Sequence, residues 1–412
     1  MPDVAHPATY AEGVPHAEFR RLREEGNVTW VPEPALVRHS SAGQTAIRGT
    51  GYWAVVGHPE VVEVARQPET YSSAAKGAFL VDPRTKADLR TARQLLVNMD
   101  APEHARIRKL VTSVFTPKAI NGLADSVRGH AASLVRKVLA APEFDVVTDF
   151  AAELPLLVLT DLLGMPKEDR HLLYRWGNQL VGFDDPEYGG GDVEAYRRTI
   201  VEAFQYALDK RADAVRAPRD DLMSKLANAE LDGRPLADRE FCQFWLLLVV
   251  AGNETTRHLL SGSIQALAEH PAQRDALGAD PSVLPTAVEE LLRWVTPIMQ
   301  FRRTATRDVV LGGRKIAAGD KVVLYYTSAN RDDRVFTEPD RLDLTRVVNP
   351  HLAFGIGPHF CLGTHLARLE ATAALSELRP HLRRLELSEP LVRMESNFVN
   401  GIKSLPARWL AG

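Results

Sequence analysis

Helical periodicity sustained through the middle of the chain is what most constrains its fold. From about residue 100 to about 300, apolar side chains recur three and four places apart, as in Leu110, Val111, Val114 and Phe115 or in Leu154, Leu157, Leu159 and Leu162. That is the pattern of helices with one buried face. The β-prone runs are short: Trp53-Ala54-Val55-Val56, Val309-Val310-Leu311 ahead of Gly312-Gly313, Lys321 to Tyr325, and the tail around Phe398 to Leu405. The expected fold class is mainly α with small peripheral β-sheets.

No low-complexity linker or internal repeat divides the 412 residues, so a single domain over 1-412 is expected. Its first ~50 residues are expected to be loosely structured, as termini often are. Tyr71 to Asp100 contains Gly77, Pro83 and many charges and reads as a long solvated loop with a short helix. Asp184 to Gly191 is a second breaker, between two helices.

The net charge of −3 provides no field that would draw the whole chain to nucleic acid or an anionic membrane. The longest apolar run, Phe244 to Gly252, is far short of the ~20 residues that cross a bilayer. Met1-Pro2-Asp3-Val4-Ala5-His6 lacks the basic and then apolar order of a signal peptide. A cytoplasmic monomer without nucleic-acid or membrane partners is therefore expected. Cys242 and Cys361, the two cysteines, exclude a disulfide framework and a zinc site built from several thiolates. Any sulfur chemistry falls to one thiol. Cys242, in Phe241-Cys242-Gln243-Phe244-Trp245, reads as packing.

Cys361 is different. Phe354-Gly355-Ile356-Gly357-Pro358-His359-Phe360-Cys361-Leu362-Gly363 delivers it to the start of the helical run Leu362 to Leu378. Glycines let the backbone approach a flat cofactor, and amide hydrogens at the helix start stabilise a thiolate. A second motif, Ala251-Gly252-Asn253-Glu254-Thr255-Thr256, lies inside a helical run from about Leu236 to Glu269. Gly252 costs about 1 kcal/mol in a helix interior, and the Thr255 hydroxyl can bond back to the Ala251 carbonyl, which would bend the helix and open a gap. Glu254 beside Thr255 makes an acid–alcohol pair suited to proton delivery. In Glu290-Leu291-Leu292-Arg293 the spacing puts carboxylate and guanidinium on one helical face.

With Phe354, two glycines, His359, Cys361 and Gly363 at its spacing, the cysteine segment resembles the haem-binding loop of the cytochrome P450 superfamily. The resemblance implies a triangular prism of helices around a buried haem b whose iron is held by Cys361. It implies a monooxygenase that inserts one atom of O2 into a C–H bond, with Glu254 as proton relay, Thr255 as the hydroxyl bonding dioxygen, and Ala251 and Gly252 against the cofactor. His104, Arg108, Arg303 and His359 would clamp the haem propionates; Arg303 is preferred to Arg302 because it directly precedes Thr304-Ala305-Thr306. Glu290 and Arg293 would be a scaffold pair completed by Arg341 or Arg346. The order of motifs agrees with the superfamily from roughly Trp53 to the C-terminus. Details around Phe301 to Thr306, Ser328 to Asp332 and Ser396 to Gly401 resemble bacterial members that hydroxylate terpenes, sterols and branched lipids.

The implied substrate is small to medium, hydrophobic, and terpenoid, steroid or lipid-like. Its pocket is expected to be walled by Leu247, Val250, Ala251, the segment Val295 to Gln300 with Ile298, Phe398, Val399 and part of residues 75 to 95. Thr296, Gln300 or Asn400 would anchor a polar group. Neither a G-x-G-x-x-G loop nor room for a fused flavin domain is present, so electrons are expected from a separate ferredoxin and ferredoxin reductase. Arg106, Lys109 and Arg368 would form the docking face. Two other readings stay open: a haem-thiolate enzyme of another kind (peroxygenase, isomerase or dehydratase), against which Glu254 and Thr255 argue, and a non-catalytic haem sensor.

Overall fold

Asp238–Glu269 forms one central helix of 32 residues, about 48 Å long by its rise per residue. Its start is fixed locally, because the Glu240 carboxylate accepts the Ala237 N–H at 2.8 Å. Phe241, Phe244, Trp245, Val249, Leu259, Leu260, Ile264 and Leu267 then bury along it in the main core. The helices Glu153–Leu163, Arg170–Val181, Val193–Arg216, Leu284–Val295 and Thr364–Leu378 pack against it. The Trp176 and Trp245 rings meet edge to face at 5.5 Å. The computed structural model describes residues 3–112, 115–219 and 221–411. Met1, Pro2 and Val114, named above, lie outside the described residues.

A five-stranded sheet flanks this body, built from β1 (Val28–Val31), β2 (Tyr52–Val55), β3 (Tyr71–Ser72), β4 (Gln300–Ala305) and β5 (Lys321–Tyr325), in the order β1-β2-β5-β4-β3. Only β2 and β5 run parallel within it. Both faces are covered, which explains why β5 reads as a continuous apolar run. Val322 and Leu324 join Val28, Val55 and Tyr326 on one face, whereas Val323 and Tyr325 join Phe19, Tyr52 and Leu80 on the other. The register pairs Val322 with Arg303, Leu324 with Phe301, Val323 with Arg302 and Tyr325 with Gln300. Strand alternation therefore sends Arg303 and Phe301 to one face and Arg302 and Gln300 to the opposite one. The β-prone runs around Gly312-Gly313 and in the tail form the hairpin Val309–Leu311/Arg314–Ile316 and the strands Ile402–Ser404 and Pro406–Trp409.

Two expectations are corrected. The residues before Trp53 are not loosely structured: they form the helix His16–Glu24, strand β1 and the hairpin Ala35–Ser40/Gly43–Arg48. Phe19 and Leu22, three apart on that helix, bury against the sheet, with the Phe19 ring 4.9 Å from Tyr325. Residues 71–100 do contain the short helix, Lys86–Ala92, capped reciprocally by Thr85 and Asp88. They are only partly solvated, because Ala78, Leu80 and Leu96 are buried. Among the described residues no helix is long and apolar enough to cross a membrane.

Candidate active site

The cysteine loop is shaped by its glycines. Gly355 and Gly357 adopt φ of 66° and 78°, the left-handed region that disfavours side chains. A Cβ on Gly357 would lie 2.3 Å from the Ala65 carbonyl oxygen, so the loop can turn this tightly over the helix His58–Arg66 only with glycine there. The Cys361 N–H donates to the Phe354 carbonyl at 3.0 Å, and the helix Thr364–Leu378 begins three residues later. Cys361 presents open surface. Burial nevertheless lifts its thiol above the ordinary value, opposed by the Gly363 N–H and the guanidinium groups of Arg108 and Arg368. A side chain that is both accessible and desolvated lines an internal cleft.

The central helix, packed against the cysteine-loop helix, supplies another wall. Leu247, Val250, Ala251, Gly252 and Thr255 keep accessible surface while most of their helix is buried, and their spacing makes one stripe. Thr255 Oγ1 donates to the Ala251 carbonyl at 2.8 Å, the bond expected from the sequence. The helix is continuous through the motif. Gly252 has a different reason: a Cβ there would meet the Leu159 side chain at 2.8 Å, so glycine permits close approach of the Glu153–Leu163 helix.

Glu254 sits on another face of the helix from Thr255 and is buried. Its carboxylate pairs with Arg257, lies 3.5 Å from His258 Nε2, and accepts from Asn253 Nδ2 at 3.1 Å. Burial would raise its pKa, but Arg257 and His258 bring it below the ordinary carboxylate value. Arg257 in turn donates to Asn178 Oδ1 at 2.7 Å, and His258 Nδ1 accepts the Ile402 N–H at 3.3 Å. Burial and then Arg257 push His258 down to about 4. Gly177 makes room for this acid, because a Cβ there would be 2.5 Å from Glu254 Oε1. Sequence reasoning missed Gly177, Arg257 and His258. The basic residues directly after the motif were the available signal.

The two adjacent arginines of β4 part company. Arg302 pairs with Asp82 at 2.8 Å on the face away from the cleft. Among the described residues, Arg303 makes no carboxylate pair and its side chain donates to the Arg302 carbonyl alone, at 2.7 Å. On the cleft side the His104 and His359 rings lie 4.2 Å apart, His104 Nε2 is buried without a partner, and Arg108 Nη2 donates to the Phe360 carbonyl at 2.6 Å. Burial, then Arg303, His104 and Arg108, push His359 down to about 2; burial and Arg108 lower His104. The nearby Asp100 carboxylate is already held by the Ser72 hydroxyl and by the Ser73 N–H at 2.8 Å. Two guanidinium groups and two imidazoles thus converge with no ion-paired carboxylate among the described residues, which suits a ligand bearing two carboxylates.

The scaffold pair is fully buried, with Glu290 and Arg293 bonded twice at 2.7 and 2.8 Å. The third member is Arg346, 3.1 Å from Glu290 Oε2; Arg341 contributes its carbonyl to Arg293 at 3.2 Å.

Several pocket assignments change. Val295 is core, packed on Gly262, and Val399 is buried in a bridge to Ile298, which keeps partial exposure. Gln300 lies on the Arg302 face of β4, away from Phe301 and Arg303. Thr296 caps its helix by donating to the Arg293 carbonyl at 2.7 Å and accepts from Asn330 at 2.8 Å. Asn400 is held by the Val295 carbonyl at 2.6 Å and by Arg393 at 3.2 Å. Phe398, expected at the pocket, and Phe79, within the expected segment 75 to 95, form an aromatic wall with Phe301, with ring separations of 5.4 to 6.2 Å. Phe301 could have been found from strand parity with Arg303. The docking face is also reduced, since Arg106 pairs with Glu103 and Asp232, and Arg368 binds Glu289 at 2.6 and 2.8 Å.

An accessible thiol at the foot of a cleft, a cation cluster lacking its anion and an alcohol on the opposite wall define a haem-thiolate protein. Comparison with known proteins agrees. The Cytochrome P450 family model matches residues 191–406. The chain is 37% identical over 405 residues to a steroid C26-monooxygenase of Rhodococcus jostii, covering 97% of this chain and 83% of that protein. It is 38% identical over 396 residues to a methyl-branched lipid omega-hydroxylase of Mycobacterium tuberculosis, covering 95% and 90%. A solved Mycobacterium marinum cytochrome P450 in complex with pseudoionone superposes with a TM-score of 0.87 at 39% identity, covering 96% and 94%. The chain belongs to the cytochrome P450 family: it is a cytochrome P450 monooxygenase and its cofactor is haem. The orphaned His104 Nε2 and the unpaired Arg303 fit that group.

Proposed function

We propose that this chain hydroxylates a C–H bond of a small to medium hydrophobic molecule, terpenoid, steroid or lipid-like, using O2 and electrons from a separate ferredoxin and its reductase. The carrying observation is the apolar cleft. Leu247, Val250 and Ala251 line one wall and Phe79, Phe301 and Phe398 another, while Thr296 and Asn400 are engaged elsewhere. The names of the steroid and branched-lipid relatives support that substrate class.

Haem bound at Cys361 supplies the oxygen activation. The thiolate of Cys361 is its ligand, held by the Gly363 N–H and the charge of Arg108. His104, Arg108, Arg303 and His359 orient it through its propionates. Thr255 Oγ1, on the cleft stripe, is where a proton is handed in; its own hydrogen bond to Ala251 fixes the oxygen's position. Glu254 stands behind as the acid, and Arg257 must release it for proton transfer. The aromatic wall excludes water and holds the substrate carbon in place.

The test is a surrogate ferredoxin system with NADPH and a panel of terpenes, steroids, fatty acids and aromatic ethers, scored by spin-state shift and by product. Oxidation of apolar members, with Thr255→Ala consuming NADPH without matching product, is expected. Unchanged coupling in Thr255→Ala would contradict the role given to that hydroxyl.

A further inference from the structure

Away from the cysteine cleft, a pocket of about 200 Å³ opens where the hairpin Ala35–Ser40/Gly43–Arg48 meets the start of the helix Val193–Arg216. Its lining is basic, with Arg38, His39, Arg84 and Arg197 on the walls. Arg38 is buried, pairs with Asp184 at 2.5 Å and lies over the Phe183 ring at 4.8 Å. Arg84 and Arg197 are exposed and make no ion pair among the described residues. The one carboxylate in the lining, Glu194, is already bonded by the N–H of Ser41 at 3.0 Å and by its hydroxyl at 2.5 Å. Glu194 keeps its charge, but Arg84 and Arg197 outnumber it and neither is tied to it by an ion pair among the described residues, so the concave site carries a net positive charge.

The pocket is connected to the active site along the chain. Arg38 also lines a neighbouring groove with Leu80, Val81 and Asp82. Val81 in that groove and Phe79, two residues before it, are large apolar side chains 37% and 39% exposed. Phe79 belongs to the aromatic wall, beside Phe301 on the face of β4 that carries Arg303. Arg84 is five residues beyond Phe79, a reach of at most about 18 Å. Two exposed apolar side chains, Phe79 and Val81, therefore lie along the chain between the wall of the cleft and the basic pocket, and the Asp82 carboxylate that follows them is paired with Arg302 and Lys321.

We propose that this pocket binds the anionic end group, carboxylate or phosphate, of a lipid-like substrate whose apolar chain lies along Val81 and Phe79 towards Cys361. Arg84 and Arg197 set specificity by charge, and Arg38, fixed by Asp184 and Phe183, shapes the floor between them. This inference rests on the hydrophobic-substrate reading above and narrows it to amphiphiles.

Three probes test it by spin-state titration of the ferric holoenzyme: 15-methylhexadecanoic acid, its methyl ester, and 15-methylhexadecyl phosphate. At low ionic strength an anionic probe is expected to bind about tenfold more tightly than the ester, and added salt to erode the difference. Whichever of the acid and the phosphate binds more tightly identifies the end group. In Arg84→Gln/Arg197→Gln that advantage is expected to disappear, with the ester's affinity held within about twofold. Equal binding of ester and anions by the wild type, or equal weakening of all three in the double variant, would overturn the anion site and leave the hydrophobic reading standing. No response to any of the three would overturn both.

Discussion

Substituting the two adjacent arginines of β4 one at a time separates a cofactor contact from a fold contact, because strand parity sends their side chains to opposite faces. Arg303→Gln removes a buried cation that has no carboxylate partner. Without haem, the loss removes a guanidinium charge that burial disfavours, so the stability of the haem-free chain should hold or rise slightly. With haem, the same change deletes a charge-assisted bond to a propionate, about 1.5–3 kcal/mol, which corresponds to about 10- to 100-fold faster haem loss. Arg302→Gln does the reverse. It leaves Asp82 with Lys321 alone, at 3.0 Å. Breaking a fully buried pair costs about 3–5 kcal/mol, but Asp82 is 35% exposed and keeps one partner, so about 1–2 kcal/mol of stability is expected to go, with haem retention little changed. Haem transfer to apomyoglobin and urea unfolding of the haem-free chain read the two effects. Faster haem loss from the Arg302 variant than from the Arg303 variant would refute the assignment.

Other consequences are smaller in scope. Glu290→Gln leaves Arg293 and Arg346 buried without their carboxylate and should cost about 3–5 kcal/mol in denaturant midpoint, with Arg346→Ala milder. Gly357→Ala meets both a left-handed φ and the Ala65 carbonyl, so poor haem incorporation is expected beside a near-normal Gly129→Ala control, measured as haem per chain. His258, held down to about 4 against an ordinary 6.5, binds its proton more readily in the unfolded chain. Stability should therefore fall as pH drops from about 6.5 to about 4, by about 3 kcal/mol in all, and His258→Gln should flatten that slope in urea titrations.

Much of the site was legible in sequence because it is local. The cysteine loop and the E-x-x-R pair are set by spacing within one turn or one helix, and the Thr255 to Ala251 bond lies within a single helical turn. What failed was long-range. Gly252 was read only through its own helix, and the demand that Leu159 on another helix makes on it was out of reach. Gln300, Thr296 and Asn400 carry the right chemistry for a pocket, yet strand parity or a distant carbonyl takes each out of it. Phe301 was passed over because only the pairing of β4 with β5 shows that it shares a face with Arg303. The first 50 residues were discounted as a terminus, although Phe19 and Leu22 carry a helical pair that the sheet covers.

The account depends most on Cys361 as the thiolate ligand of haem, and the absorbance spectrum of the reduced carbon monoxide complex tests that directly. The wild type is expected to show the strongly red-shifted Soret band of thiolate ligation, and Cys361→His to bind haem without it. A wild-type band at the position given by imidazole ligation, or one unchanged in Cys361→His, would contradict the central claim.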